Sequence, residues 1–183
     1  SPAHGRTGIA HTRWATHGAP NEANAHPHVS NDTVAVVHNG IIENHAELRT
    51  ELQASGYIFS SETDTEVVAH LVHKLVAEGK SLREAVSDAP RRLRGAYAIA
   101  VLHRDHPGHV VGARRGSPLC VGVGIGEHFL GSDVQALIQV TNRIVYLEEG
   151  DVAEITQDAL TITAADGSPA TRKVRESDLS MDA

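Results

Sequence analysis

The first half of the chain contains three segments whose apolar residues recur at helical spacing. In the first segment Leu48 and Leu52 lie four residues apart, and Gly56 follows as a stop signal. The second segment carries a longer apolar stripe and is closed by Gly79. The three predicted helices span residues 44–55, 63–78 and 81–89.

Capping boxes are predicted at the start of the second and third helices. Thr63-x-x-Glu66 and Ser81-x-x-Glu84 each place a hydroxyl three residues before a glutamate, so that each side chain can bond the other residue's backbone N–H. Pro90 predicts the end of the third helix, because proline lacks the N–H group that a helix interior uses.

After Arg94 the pattern changes to short segments rich in valine and isoleucine, which predict strands. An earlier strand is predicted to end at Asn39-Gly40, a dipeptide typical of tight turns. Residues 133–138 predict one or two helical turns. The predicted strands span residues 33–38, 96–102, 110–113, 119–123, 128–131, 143–147, 152–156 and 160–163.

Helices and strands therefore occupy separate runs of the sequence instead of alternating. This arrangement predicts an α+β fold with largely antiparallel sheets. The length of 183 residues suits one domain. Residues 172–183 are charged and rich in serine and aspartate, so they are expected to form an exposed tail behind a domain of residues 1–171.

Composition excludes several classes of partner. The net charge of −7, with only 16 basic residues, argues against nucleic acid as a partner. No apolar run approaches the roughly 20 residues of a membrane helix, so no membrane is expected. A single cysteine cannot form an internal disulfide, and no apolar leader is visible at the start, which favours a cytoplasmic location.

The 13 histidines raise the alternative of a metal site. His26-Pro27-His28 is the densest group, yet no spacing matches a known zinc pattern, so no metal is expected. The other nearby imidazoles are those of His11, His17 and His38.

Residues 122–126 form Gly-x-Gly-x-Gly, but Glu127 stands where a dinucleotide fingerprint has its third glycine, and no helix follows. No cofactor is therefore expected either.

A loop of polar residues is the first candidate for chemistry. Arg13 offers a planar fork suited to a carboxylate. Thr16 and His17 add hydrogen-bonding groups, and Trp14 could close over a small ligand. This combination suits an α-amino-acid carboxylate, but a surface loop whose arginine pairs with a nearby acid explains the same residues.

Two further candidates follow. Asn39 and Gly40 could supply a side-chain amide and a backbone N–H to an oxyanion hole for acyl transfer, although a plain turn also explains them. Asp64 falls in the first turn of a predicted helix, where a carboxylate suits the helix dipole. Alternatively, Asp64 could receive the ammonium group of a substrate.

Taken together, these blocks resemble the glutaminase domain of the glutamine–fructose-6-phosphate aminotransferase family, a class II glutamine amidotransferase. They run in the family's order along almost the whole chain. The resembling segments are residues 11–18, 24–28, 36–44, 61–66, 93–97, 116–119 and 147–155.

The resemblance implies a four-layer αββα sandwich of the N-terminal-nucleophile hydrolase type. It implies hydrolysis of glutamine to glutamate and ammonia, which passes to a sugar-phosphate isomerase module of a homo-oligomeric full-length protein that makes glucosamine-6-phosphate in hexosamine biosynthesis. By resemblance, Asn39 and Gly40 would form the oxyanion hole. The residues that would hold glutamine are Arg13, Trp14, Thr16, His17 and Asp64.

One departure from the family concerns the nucleophile, which the resemblance implies to be an N-terminal cysteine with its own α-amino group as base. Here Ser1 begins the sequence, and Cys120 falls within an apolar strand. The family's first strands are therefore expected to be missing, and this chain alone is expected to lack glutaminase activity. The alternative is a nucleophile-free module of the same fold that binds glutamine or mediates assembly.

Overall fold

The computed structural model describes residues 5–13 and 17–177. Its three α-helices are α1 (His45–Ala54), α2 (Thr65–Ala77) and α3 (Leu82–Arg92), counted over those residues. The strands there are β1 (His28–Ser30), β2 (Val34–Ile42), β3 (Gly95–His103), β4 (Val110–Arg115), β5 (Cys120–Val123), β6 (His128–Gly131), β7 (Arg143–Tyr146), β8 (Val152–Ile155), β9 (Leu160–Thr163), β10 (Pro169–Ala170) and β11 (Val174–Glu176).

The strands form two sheets. One has seven strands in the order β1-β2-β3-β4-β8-β9-β10, and the other has four in the order β11-β7-β5-β6. Every neighbouring pair of these strands is antiparallel. The prediction of an α+β fold with antiparallel sheets is thus confirmed, and strands β6 and β9 have the predicted bounds.

The helices cover one face of the seven-stranded sheet, and the four-stranded sheet packs on its other face. The helix-side core joins fully buried Leu71 of α2 to Val36 of β2, while the core between the sheets joins Val121 to Ala153. Burying a valine or leucine side chain stabilises the fold by about 1.5–3 kcal/mol. The described residues thus build three layers, helix, sheet and sheet, of the four in the predicted αββα sandwich. Among the described residues, no α-helix is long and apolar enough to cross a membrane.

The capping box predicted at Ser81 and Glu84 is present, with both reciprocal hydrogen bonds. The one predicted at Thr63 and Glu66 is wrong. Asp64 is the residue that precedes α2, and the Glu66 carboxylate accepts from backbone N–H groups of the preceding loop instead. The pattern Ser/Thr-x-x-Glu therefore caps a helix in one place, whereas in the other its glutamate holds the preceding loop.

Pro90 does not end the third helix, which continues to Arg92. Proline removes only one hydrogen bond of the helix, and here it does so in the last turn, where Pro90 and Ala89 are buried against the core. The cost of the missing bond is thus offset by packing.

Asn39-Gly40 is not a turn, because β2 runs through it to Ile42 and pairs with β3 along its whole length. Gly40 adopts a φ of 116°, in the left-handed region that favours glycine. A Cβ at this position would lie 2.1 Å from the carbonyl oxygen of Ala96. The glycine therefore allows the strand to continue where a side chain would collide with β3.

The segment expected to be an exposed tail contacts the domain at its start. The Arg172 guanidinium donates two hydrogen bonds, of 2.9 and 2.8 Å, to the carboxylate of Asp151, which is fully buried. Strand β11 then pairs with β7. The division of the chain after residue 171 stays a prediction, but residues 172–176 are tied to the sheets.

Candidate active site

Five of the seven predicted site residues line one pocket of about 700 Å³ at the N-terminal end of α2. This volume is in the usual range for small-molecule sites. Trp14 and Thr16, the other two, lie outside the described residues. The five that share the pocket are Arg13, His17, Asn39, Gly40 and Asp64.

Strand β2 supplies Asn39 and Gly40 to the pocket. Burial is interrupted within the strand, so that His38 is buried while Asn39 and Gly40 are exposed. Oδ1 of Asn39 lies 2.6 Å from Nε2 of His11 and accepts its hydrogen bond. The amide nitrogen of Asn39 has no hydrogen-bond partner in residues 5–13 and 17–177, so this donor is available to a ligand.

Asp64 is a buried carboxylate, with only 3% of its surface exposed. Its Oδ2 accepts a hydrogen bond of 2.8 Å from the backbone N–H of Ile42, two residues beyond Gly40. Its Oδ1 lies 3.9 Å from Nδ1 of His17. One oxygen therefore fixes the carboxylate to β2, and the other faces the loop across the pocket.

The Arg13 guanidinium holds the backbone of residues 17–19. Arg13 donates hydrogen bonds to the backbone carbonyls of His17 at 2.5 Å, Gly18 at 3.1 Å and Ala19 at 3.1 Å. A guanidinium has five N–H donors, so these bonds leave donors for a ligand. The pocket thus presents a cation and a buried carboxylate, which matches the charges of an α-amino acid.

Glu66, buried behind Asp64, holds the loop that leads into α2. Its two oxygens accept hydrogen bonds of 2.8 Å from the backbone N–H groups of Ser60 and Ser61. Burial raises the pKa of Glu66, but His70, the Ser61 hydroxyl and the two backbone N–H groups together lower it to about 2. The anion therefore anchors the loop that presents Asp64.

A group of neutral histidines lies beneath Asn39. Nδ1 of His26 accepts a 3.2 Å hydrogen bond from the backbone N–H of His38, and its Nε2 lies 3.3 Å from Oγ1 of Thr65. Nδ1 of His38 lies 2.9 Å from the same hydroxyl. Burial and the neighbouring imidazoles lower the pKa of His26 to about 3, and burial lowers that of His38 to about 4.

These histidines were considered in the sequence only as metal ligands. In the part of the chain that the structure describes, no group of three or more histidine, cysteine, aspartate or glutamate side chains could hold a metal ion. Their hydrogen bonds instead join the β1 region, β2 and α2 under the pocket. The spacing of the sequence carries no signal for this role, since the contacts cross up to 39 residues.

Cys120 lies on the outer face of β5 and is 3% exposed. Its thiol donates to the carbonyl oxygen of Gly131 at 3.2 Å, and burial raises its pKa to about 11. A protonated, buried thiol is a poor nucleophile. Cys120 is therefore a packing residue, as its apolar context in the sequence predicts.

A larger cavity of about 1120 Å³ lies at the opposite end of the sheets. It is bordered by the β3–β4 turn and by strand β6, and it contains none of the five residues described above. Volume alone therefore does not identify the site. The smaller pocket is the candidate because it combines an amide donor, a cation and a buried carboxylate.

Comparison with known proteins bears on this pocket. The model of a family described as "Glutamine amidotransferase domain" matches residues 11–139. The chain is 57% identical over 182 residues to glutamine–fructose-6-phosphate aminotransferase [isomerizing] from Shigella flexneri, covering 100% of this chain and 30% of that protein. The protein of the same name from Escherichia coli K12 is 56% identical, with the same coverage. The chain thus spans about 30% of the length of these relatives.

Two solved structures share the fold. Glutamine phosphoribosylpyrophosphate amidotransferase from B. subtilis matches with a TM-score of 0.69 and 24% identity, over 85% of this chain and 34% of that one. A structure titled as the allosteric regulatory enzyme of purine biosynthesis matches with a TM-score of 0.68 and 26% identity, with the same coverage. The predicted fold class, that of the N-terminal-nucleophile amidotransferases, is thereby confirmed.

Proposed function

Because the chain belongs to the family of glutamine amidotransferase domains, we propose that its pocket binds glutamine and stabilises the oxyanion formed when the side-chain amide is hydrolysed to glutamate and ammonia. The observation that carries the proposal is the meeting of Asn39, Arg13 and Asp64 around one pocket. Together they offer a donor for the oxyanion and two opposite charges for an amino acid.

Asp64 and Arg13 receive the two charged groups of glutamine in this proposal. The Asp64 carboxylate faces the α-ammonium group with the oxygen that the Ile42 N–H leaves free. Arg13 binds the α-carboxylate, for which a planar fork of donors is suited. His17 lies between them, close to Asp64. The resemblance adds Thr16 as a further contact and Trp14 as part of the closing loop.

In this proposal Asn39 and Gly40 stabilise the oxyanion. When a nucleophile attacks the amide carbon of glutamine, the carbonyl oxygen gains a negative charge. The free Nδ2 donor of Asn39 and the backbone N–H of Gly40 stabilise this charge without rearrangement, because β2 already fixes their positions. We assign binding and oxyanion stabilisation to this chain, and Cys120 takes no part in nucleophilic attack.

The whole reaction is proposed from the relatives. The domain would supply ammonia to a sugar-phosphate isomerase module of a longer, homo-oligomeric cytoplasmic protein, which would use it to convert fructose-6-phosphate to glucosamine-6-phosphate. The support is the identity of 56–57% with proteins named for the aminotransferase reaction. Neither a cofactor nor a metal takes part in the proposed hydrolysis.

Calorimetric titration of the chain with L-glutamine tests the binding half of the proposal. We expect saturable binding that Asp64→Asn weakens about tenfold or more, since the variant keeps the size of the side chain and removes its charge. L-glutamate and D-glutamine serve as competing ligands. The absence of any saturable heat with glutamine, or equal affinity in the Asp64→Asn variant, would refute the assignment.

A further inference from the structure

A hydrogen bond joins the loop before Arg13 to strand β2 at the pocket. Nε2 of His11 lies 2.6 Å from Oδ1 of Asn39, a residue 28 positions further along the chain. An amide oxygen only accepts hydrogen bonds, so Nε2 carries the proton and donates it. The contact therefore fixes which end of the Asn39 amide faces His11.

The orientation of this amide decides whether it can stabilise an oxyanion. Half a turn about the Cβ–Cγ bond exchanges Oδ1 and Nδ2, which have nearly the same size and opposite hydrogen-bonding roles. An oxyanion is stabilised by the N–H group and repelled by the carbonyl. In residues 5–13 and 17–177, His11 is the only hydrogen-bond partner of the Asn39 side chain, so its proton selects the orientation that leaves Nδ2 free.

The ring of His11 is itself held in place. It stacks on the ring of His26, with centroids 4.2 Å apart and planes inclined by 19°. His26 is fixed at both nitrogens, by the backbone N–H of His38 and by the hydroxyl of Thr65. Strand β2 and helix α2 therefore support His11 through His26.

The neutral state of His26 suits this support. Its Nδ1 accepts a hydrogen bond, so that atom carries a lone pair, and the pKa lowered to about 3 keeps the ring uncharged at neutral pH. A charged His26 would repel a charged His11 across a stacking distance of 4.2 Å. The stacked pair thus presents one donor, Nε2 of His11, to the amide.

From these contacts we infer that His11 is a positioning residue of the glutaminase site, which orients the Asn39 amide so that its N–H groups face the oxyanion. The inference rests on the proposed function, because it requires Asn39 to be the oxyanion donor. His11 does not contact the reacting atoms in this role. It acts by preventing the amide from presenting its oxygen to a developing negative charge.

The test is a double-mutant cycle on glutamine hydrolysis in the full-length protein that carries this domain. We expect His11→Phe, which keeps a ring for stacking on His26 and removes the donor, to lower kcat about 10–100-fold. This is less than the about 10²–10³ that loss of an oxyanion donor costs, because the Asn39 amide remains and only its orientation is released. KM for glutamine is expected to change less than about threefold. His11→Gln, which retains an N–H donor, is expected to recover part of the rate.

The cycle is completed by Asn39→Ala and by the double variant. If His11 acts through Asn39, the double variant hydrolyses glutamine no more slowly than Asn39→Ala alone. Multiplying effects, or a change confined to KM, would overturn the positioning role while leaving the oxyanion assignment intact. An unchanged kcat in Asn39→Ala would overturn both. An unfolding curve for each variant separates loss of rate from loss of fold.

Discussion

Two polar clusters lie at the start of α2, and they differ in access to solvent. One is the pocket with Asn39 and Asp64, which is open. The other is the closed cluster of Ser30, His70 and Glu66, in which Ser30 Oγ lies 2.8 Å from Nδ1 of His70 and Nε2 of His70 lies 3.5 Å from Glu66. The closed cluster has the residue types of a serine-hydrolase triad.

Burial separates the two clusters. Ser30 has no exposed surface, and Glu66 and His70 are 2% and 3% exposed, so no substrate reaches the hydroxyl. In the closed cluster, Glu66 accepts hydrogen bonds from the backbone of Ser60 and Ser61, and the Ser30 hydroxyl lies within hydrogen-bond distance of His70. In the pocket, by contrast, Asn39 keeps a donor unpaired. The comparison teaches that unpaired polar atoms at an open surface, more than residue types, mark the site of chemistry.

The largest effect that sharpens this contrast is expected for Glu66→Ala. Removing the carboxylate takes the acceptor from the N–H groups of Ser60 and of buried Ser61 and leaves a buried cavity, so we expect a loss of about 3–5 kcal/mol in the free energy of unfolding. Urea denaturation measures it. The control is Glu47→Ala, whose side chain is exposed on α1 and pairs with Arg94 at the surface, with an expected change within about 0.5 kcal/mol. Equal effects would contradict the structural role of Glu66.

For Asn39→Ala, in the open pocket, we expect a loss of rate with little change in stability, the reverse of Glu66→Ala. Loss of one oxyanion donor costs about 10²–10³ in kcat, equivalent to about 2.7–4 kcal/mol in the transition state. Because Asn39 is exposed, the free energy of unfolding is expected to stay within about 0.5 kcal/mol. Steady-state glutamine hydrolysis and urea denaturation of the full-length protein measure the two quantities. A loss of stability without a loss of rate would show that Asn39 supports the fold and does not stabilise the oxyanion.

As pH falls, the histidines beneath the pocket are expected to lose their contribution to the free energy of unfolding at a higher pH than Glu66 of the closed cluster. His26 and His38 have folded-state pKa values of about 3 and 4, below the ordinary 6.5, so the unfolded chain binds protons first as pH falls. Their contribution is complete above pH 6.5 and is lost as pH falls from there, toward pH 4 for His38 and pH 3 for His26. The slope reaches at most about 1.4 kcal/mol per pH unit for each histidine and is smaller for half-buried His26, because solvent screens its interactions. Glu66, with its pKa lowered to about 2 from 4.5, keeps its contribution until pH falls below 4.5.

Urea denaturation at pH 7.5, 6.5 and 5.5 measures this dependence. The matched variant is His26→Gln, which keeps polar atoms of similar reach and cannot titrate. We expect its dependence on pH to be shallower by one proton. A slope that the substitution leaves unchanged would show that His26 does not stay neutral in the folded protein.

The smallest effect is expected for Ser30→Ala in the closed cluster. It removes the hydroxyl beside His70 and costs about 1–3 kcal/mol of stability, since a buried partner loses its hydrogen bond. Glutamine hydrolysis is expected to be unchanged. Thr50→Ala, at an exposed position of α1, is the control for loss of a hydroxyl. A large loss of rate in Ser30→Ala at normal stability would make the closed cluster catalytic.

The sequence predicted the sheets better than the positions of single side chains. Strands β6 and β9 were located to the residue, because short segments with phenylalanine, leucine or isoleucine there are bounded by turn residues. Strands β1, β10 and β11 were missed, since they are only two or three residues long and carry no clear apolar alternation. Such strands form because β2, β9 and β7 offer them an edge.

The site residues come from segments far apart in the chain, and no periodicity links them. The hypothesis that Arg13, Asn39 and Asp64 act together depended on resemblance to a family, and their common pocket agrees with it. Glu66 was misassigned because a capping pattern does not say whether its carboxylate reaches the helix start or the loop before it. His11 was missed as a partner of Asn39 because that contact joins a loop to a strand, which only the tertiary structure brings together.

Two glycines of the paired strands β2 and β3, Gly40 opposite Tyr97 and Gly95 opposite Ile42, have a mechanical consequence. A Cβ on Gly95 would lie 2.2 Å from the carbonyl oxygen of Ile41, as one on Gly40 would from that of Ala96. At each glycine, the backbone of the other strand occupies the space that a side chain would need. A shift in register would replace a glycine there by a residue with a side chain, so the two glycines fix the register of β2 and β3. The position of Asn39 along the strand is thereby set by the main chain alone. The pocket's other side chains can then vary without moving Asn39, the proposed oxyanion donor.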